Sequence, residues 1–156
     1  MLSIISKPLN FLKKRMTSIK VPKKKKSNVY ALERLKETHN HDYSTFVANY
    51  YKKQNYTVWE YSKEKNFPDH EINLVVKKEA DILLIQCKNN FSEISLENVV
   101  KFENEVHEFL SQYTLFQSYK LRYCYILPKY QFDKSASNYI SNNHNINYKI
   151  LKEHAM

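Results

Sequence analysis

The stretch "DILLIQCKNN" at residues 81–90 combines the pattern of an interior strand with a polar end. Its apolar residues Leu83–Ile85 form the kind of run that is typical of a strand buried in a sheet. Gln86 and Lys88 follow, and both point to the same face because side chains alternate along a strand. An amide and an ammonium group are costly to bury without partners. The stretch therefore predicts a strand that ends at a polar cleft.

Helix and strand patterns alternate on both sides of this stretch. In chain order the predicted elements are a short helix at Val29–Lys36, a helix at Tyr43–Gln54 capped by Asp42, strands at Tyr56–Tyr61, Glu71–Lys77 and Asp81–Lys88, a helix from Ser95 to about Tyr113, a strand at Leu121–Pro128, a helix at Asp133–Asn142 and a strand at Ile146–Leu151. From the second helix onwards the order is α-β-β-β-α-β-α-β. This order predicts an α/β fold with a mixed β-sheet flanked by helices.

Charge divides the chain into two parts. The formal net charge is +9, and nine of the 25 basic residues lie within residues 1–28, which contain no acidic residue. The remaining 16 basic residues balance the 16 acidic ones, so residues 29–156 are formally neutral. We therefore predict a flexible basic arm at 1–28 and a single domain at 29–156. Such an arm attracts polyanions by releasing their counterions, and the residues expected to contact nucleic acid are Lys13, Lys14, Arg15, Lys20, Lys23, Lys24, Lys25 and Lys26. A tail that only aids solubility is the alternative.

Composition argues against several classes of protein. No apolar stretch approaches the ~20 residues that span a bilayer, and "LSII" near the start is too short for a secretion signal, so we predict a cytoplasmic protein. Cys87 and Cys124 lie in apolar runs without metal-ligand spacing, and we expect buried, reduced thiols. The chain has no glycine, which excludes a glycine-rich phosphate loop and leaves asparagine for left-handed backbone positions.

Pairing of the second and third predicted strands would gather polar side chains at one end of a hairpin. We expect Glu71 and Asn73 beside Gln86 and Lys88 there, and we take these four as the candidate catalytic residues. Oxygen ligands from adjacent strands can hold Mg²⁺ or Mn²⁺, and Glu71, Asn73 and Gln86 are the candidate ligands. The ion would polarise a phosphate and activate water, while Lys88 would stabilise the developing charge. The alternative is that Lys88 is a solvated strand end and Glu71 an exposed charge.

The segment "YTVWEY…PDHEINLVVKKEADILLIQCKNN" resembles the core of the PD-(D/E)XK nuclease superfamily, specifically its Mrr-like restriction endonuclease branch. Gln86–Cys87–Lys88 matches the Q-x-K tripeptide of that branch, and Asn55–Tyr56 stands where a Gly-Tyr pair ends its first helix. With the order of the later elements, the resemblance covers residues 42–151. It implies a restriction-endonuclease-like fold and Mg²⁺-dependent cleavage of duplex DNA, with modified or foreign DNA as a narrower substrate.

Two acidic positions of the resembling family differ here. An aspartate is implied 13 residues before Gln86, where this chain has Asn73, and Glu71 is the predicted replacement. Asp69 is a weaker substitute. A glutamate is also implied in the first helix, where this chain has Ser44, with Asp42 just before it. His70 is an auxiliary candidate as a base or phosphate contact, and a plain loop histidine is the alternative.

Two functions from different classes remain open at this point. The first is a metal-dependent DNA endonuclease, with DNA and a second copy of the chain as partners. The second is a catalytically inactive nuclease-fold module that binds DNA or a protein partner. A membrane surface is the least favoured partner of the basic arm.

Overall fold

The computed structural model describes residues 42–65, 70–90 and 92–153. The predicted basic arm at 1–28, the helix predicted at Val29–Lys36 and the auxiliary candidate Asp69 lie outside the described residues.

A five-stranded mixed sheet forms the centre of the fold. Its strands neighbour one another in chain order: β1 (Thr57–Trp59), β2 (Leu74–Lys78), β3 (Asp81–Cys87), β4 (Lys120–Leu127) and β5 (Ile146–Ile150). β2 is antiparallel to both of its neighbours, β1 and β3, whereas β3, β4 and β5 are parallel. The carboxyl ends of β3 and β4 and the start of β2 therefore meet at one edge of the sheet.

Helices cover both faces of this sheet. Helix α1 comprises residues 42–53 and the short helix α2 follows β1; the later helices are α3 and α4, with a 3₁₀ helix between α3 and β4. Their bounds are α2 Tyr61–Lys65, α3 Leu96–Gln112, the 3₁₀ helix Thr114–Ser118 and α4 Lys134–Asn142. The predicted mixed sheet with flanking helices is confirmed.

Local side-chain bonds fix where the two later helices begin. Ser95 caps α3: its hydroxyl accepts the N–H of Asn98, whose side-chain oxygen accepts the N–H of Ser95 at 3.0 Å. Asp133 caps α4 by accepting the N–H of Ala136 at 2.7 Å. These bonds satisfy donors that a helix start leaves without intrahelical partners. Both predicted helix starts are confirmed.

Among the residues that the structure describes, Asn55 and Glu79 adopt left-handed backbone conformations. Asn55, which follows α1, has φ 64°, as predicted for an asparagine at a helix end. Glu79 has φ 54° in the two-residue turn between β2 and β3, where Lys78 pairs with Asp81. Because glutamate carries a Cβ and no short side-chain acceptor, this second position stores backbone strain.

The sheet separates two apolar cores. On one face α1 contributes Tyr43 and Val47 to a cluster that includes Leu74 and Ile85. The other face packs against α3 and α4, with the buried residues Val99, Phe102, Val106 and Phe109 of α3 at helical spacing. Val100 of the same helix is 41% exposed because it lies off this stripe.

The first two predicted strands differ from the observed bounds by more than one residue at one end. β1 ends at Trp59 and Tyr61 begins helix α2, where the rings of Trp59 and Tyr61 pack edge to face at 4.9 Å. β2 begins at Leu74, so the predicted strand at Glu71–Lys77 is wrong over its first three residues. The regular alternation predicted there fails as well: Ile72 joins the core on the α3 face, whereas Leu74 faces α1.

Both cysteines are buried free thiols, as predicted. Burial raises the pKa of the Cys124 thiol to about 12. None of the described helices combines the length and the apolar content that crossing a bilayer requires.

Candidate active site

A buried carboxylate lies where β3 ends and the segment before β2 approaches it. Glu71 Oε2 accepts a hydrogen bond from Gln86 Nε2 and lies 3.9 Å from Lys88 Nζ. Gln86 is 2% exposed, because it points from β3 to the face that α3 covers. The structure therefore brings together three of the four predicted catalytic residues. We call Glu71, Gln86, Lys88 and the neighbouring Lys101 the Glu71 cluster.

Lys101 joins this cluster from helix α3. Its Nζ lies 2.8 Å from Glu71 Oε1, so each carboxylate oxygen of Glu71 has an ammonium group beside it. The side chain of Lys101 is 63% exposed, whereas that of Glu71 is 10% exposed. One carboxylate and two ammonium groups give the cluster a formal charge of +1, which favours an anionic ligand such as a phosphate.

Glu105, one helical turn after Lys101, anchors the segment that carries Glu71. Its carboxylate accepts the backbone N–H groups of Glu71 at 2.8 Å and Ile72 at 3.0 Å, and His70 Nδ1 lies 2.9 Å away. Burial alone would raise the pKa of Glu105, but the hydrogen bonds from His70 and from the two backbone N–H groups outweigh it and lower that pKa. Glu105 thus fixes the position of residues 70–72, which lie outside the strands and helices.

Asn73 directs its side chain elsewhere. Its Oδ1 accepts the backbone N–H of Cys87 at 2.7 Å, and its Nδ2 donates to the Ser62 hydroxyl at 3.4 Å. Cys87 lies between Gln86 and Lys88, so Asn73 fixes the backbone at the end of β3. The Asn73 amide therefore holds the end of β3 in place, whereas the Glu71 carboxylate bonds the side chain of Gln86.

Strand β4 lies beside the end of β3 that carries Gln86 and is followed by Lys88. Tyr125 on β4 is the register partner of Gln86 and is fully buried. Burial, together with the nearby carboxylates of Glu71 and Glu103, raises the pKa of Tyr125, so its hydroxyl stays neutral. The backbone N–H of Lys88 donates to the carbonyl oxygen of Ile126 at 3.1 Å, which ties the start of the lysine to β4.

Three of the auxiliary candidates, His70, Asp42 and Ser44, lie within the described residues. His70 bonds Glu105 and its ring packs against Tyr61 at 5.3 Å. Asp42 and Ser44 belong to α1, which packs on the face of the sheet opposite α3. Asp42 is exposed and Ser44 is buried.

The oxygen atoms of the cluster fit a hard divalent cation. Within the described part of the chain, Gln86 Oε1 is buried without a hydrogen-bond partner, which is unusual for an acceptor in a protein interior. Beside it lies the Glu71 carboxylate, and Mg²⁺ is commonly held by one or two carboxylates together with waters and substrate phosphates. The described residues contain no group of three or more His, Cys, Asp and Glu side chains that could hold an ion alone. Waters and, in a complex with substrate, phosphate oxygens would complete the coordination of such an ion.

Lys101 and Glu105 were not identified from the sequence. They are four residues apart on α3 and so lie on one side of it. Polar residues at this spacing are also what a solvated helix face contains, and only the fold shows which segment they meet. The sequence signal was weak: Lys101 and Glu105 are four residues apart, and each directly precedes a buried residue of the helix, Phe102 or Val106.

Comparison with known proteins gives a match to a family model and a similarity to a solved structure. The family model Mrr_cat, described as a restriction endonuclease, matches residues 35–151. Among solved structures, the chain is similar to a repair endonuclease from Pyrococcus abyssi, with 12% sequence identity and a TM-score of 0.39. That alignment covers 52% of this chain and 32% of the other, so the chain spans about a third of that relative's length. No curated protein gives a significant match.

Proposed function

The chain belongs to the Mrr_cat restriction endonuclease family, and on that premise we propose that it hydrolyses phosphodiester bonds of DNA with the aid of Mg²⁺ or Mn²⁺. The observation that carries this proposal is the position of Glu71: its carboxylate bonds Gln86 and lies beside Lys88, although residue 73 is an amide. Glu71 thereby supplies the negative charge that the family places two residues later.

Glu71 and Gln86 would hold the cation through the Glu71 carboxylate and Gln86 Oε1. When bound, such an ion polarises the scissile phosphate and makes a bound water a better nucleophile. Lys88 stands at the open end of the cluster, with its side chain 24% exposed. Its ammonium group orients the attacking water or stabilises the negative charge that develops on the phosphate oxygens. Asn73 keeps Gln86 and Lys88 in register by fixing the N–H of Cys87 between them.

DNA is the proposed substrate and partner. The formal charge of +1 in the cluster suits a backbone phosphate, and the basic residues 13–26 would add sequence-independent contacts to neighbouring phosphates. Because these contacts release counterions, we expect DNA affinity to fall steeply as salt is raised.

A second candidate function is a module that binds DNA or a protein partner without cleaving DNA. The charge of the cluster favours it, because a lone carboxylate between two ammonium groups attracts a divalent cation less strongly than the same carboxylate alone. Under this alternative, Lys88 and Lys101 bind a phosphate and no hydrolysis follows.

Nicking of supercoiled plasmid in Mn²⁺ separates the two candidates. We expect the wild type to nick and Lys88→Ala to lose at least ~100-fold in rate, as when a charge-stabilising donor is removed from an active site. Lys53→Ala, which removes an exposed lysine from α1 on the opposite face, is the matched control and should keep wild-type activity.

Calorimetric titration with Mn²⁺ is the second measurement. An endonuclease of the proposed kind binds the ion, and Glu71→Gln abolishes that binding. DNA binding without ion binding or nicking in the wild type would favour the non-cleaving module. Nicking that survives in Lys88→Ala would place the site elsewhere.

A further inference from the structure

Lys101 has the shortest contact with the Glu71 carboxylate among the charged groups that surround it. Its Nζ lies 2.8 Å from Oε1, whereas Lys88 Nζ lies 3.9 Å from Oε2. A separation of 2.8 Å is that of a charge-assisted hydrogen bond. Lys101 therefore occupies one of the oxygens that a cation at this site would use.

We propose that Lys101 neutralises Glu71 in the absence of a divalent cation and moves to a phosphate of the bound DNA when Glu71 holds the cation. This inference rests on the function proposed above. The ammonium group and a divalent cation repel each other at contact distance, so they compete for the same carboxylate. An anionic phosphate arriving at the cluster offers the ammonium group a new partner.

The two lysines are suited to different tasks by their places in the fold. Lys88 directly follows β3, and its side chain is only 24% exposed, so the surrounding residues leave its ammonium group little room to shift. Lys101 lies in the second turn of α3 and its side chain is 63% exposed, so its ammonium group has room to adopt other rotamers towards solvent. A lysine on a four-carbon stem can move its charge by several ångströms without any change in the helix.

The exchange also accounts for the buried position of Glu71. A carboxylate with a side chain only 10% exposed needs a counter-charge in every state of the protein. Lys101 supplies it before the cation binds, and the cation supplies it afterwards. Lys101 is thus a positioning residue for Glu71 in one state and a contact for substrate in the other.

The test compares Lys101→Ala, the conservative variant Lys101→Arg and the control Lys53→Ala in two binding measurements. Without DNA, calorimetry should show that Lys101→Ala binds Mn²⁺ roughly 3- to 10-fold more tightly than the wild type, because the competing charge is gone. With a short DNA duplex in the presence of Ca²⁺, the same variant should bind more weakly. The slope of log K against log salt should become shallower by the amount that corresponds to about one phosphate contact. Lys101→Arg should stay close to the wild type in both, and Lys53→Ala should show no change in Mn²⁺ affinity.

Each outcome bears on the proposal. Tighter Mn²⁺ binding with weaker DNA binding in Lys101→Ala supports it, and so does Mn²⁺ binding that only this variant shows. Unchanged Mn²⁺ affinity, or unchanged DNA affinity, in a folded Lys101→Ala overturns it, even where the wild type nicks plasmid and the proposed function stands. If neither protein binds Mn²⁺, the proposed metal dependence fails and this inference fails with it.

Discussion

The carboxylate of Glu105 accepts the backbone N–H of Glu71 at 2.8 Å, across 34 residues of sequence. Helix α3 thereby fixes the backbone at Glu71, which lies outside the strands because β2 begins only at Leu74. The same glutamate bonds the N–H of Ile72, so the peptide units on both sides of the Glu71 Cα are anchored. The proposed active site is therefore built jointly by the end of β3, the segment before β2 and α3.

Removal of this anchor should affect both stability and activity. For Glu105→Ala we expect the free energy of unfolding to fall by about 1–3 kcal/mol, since two backbone donors lose a charged acceptor. We also expect plasmid nicking to slow by roughly 10-fold or more, because Glu71 no longer has a fixed position. Thermal denaturation and nicking rates measure the two effects. Glu108→Ala removes an exposed glutamate from the same helix and is the control; equal behaviour of the two variants would contradict the anchoring role.

The pKa of Glu105 also predicts how stability depends on pH. Because hydrogen bonding lowers this pKa below its ordinary value of 4.5 in the folded state, the ionised carboxylate stabilises the fold above that pH. The stabilisation is lost as the pH falls through the folded-state pKa. The difference in Tm between wild type and Glu105→Ala should therefore be largest at neutral pH and should shrink below about pH 4.5. Melting curves between pH 7 and 3 measure it, and a difference that stays constant over this range would argue against this linkage.

Backbone strain at Glu79 predicts a stabilising substitution. Its φ of 54° lies in the left-handed region, which asparagine tolerates better than glutamate. Glu79→Asn should raise the free energy of unfolding by up to ~1 kcal/mol, seen as a higher urea midpoint with an unchanged slope. Ala80→Asn changes the next residue of the same turn and should bring no such gain. A lower midpoint for Glu79→Asn would show that the glutamate side chain stabilises the turn by other contacts.

Much of the fold was predicted from the sequence because its signals are local. A continuous apolar run identified β3, Ser95 and Asp133 marked the starts of α3 and α4, and Asn55 marked the end of α1. In the candidate site, the shared face of Gln86 and Lys88 follows from the two-residue period of a strand, which β3 keeps to its end.

The rest depends on contacts between distant segments. Strand periodicity predicted Glu71 and Asn73 on one face, but the strand has not yet begun at these residues, and their side chains bond different partners. Lys101 and Glu105 carry no local sign of their partners. The aromatic packing of Tyr61 with Trp59 and Phe109 likewise overrides the strand pattern and starts α2.

The central claim is that Glu71 supplies the carboxylate of a nuclease site in which residue 73 is an amide. The most direct test is the initial rate of plasmid nicking at saturating Mn²⁺ for wild type, Glu71→Gln and the exposed control Glu97→Gln. We predict a loss of at least ~100-fold for Glu71→Gln, because the isosteric amide keeps the volume and removes the charge that holds the ion. Glu97→Gln should match the wild type. Nicking by Glu71→Gln at the wild-type rate would contradict the account.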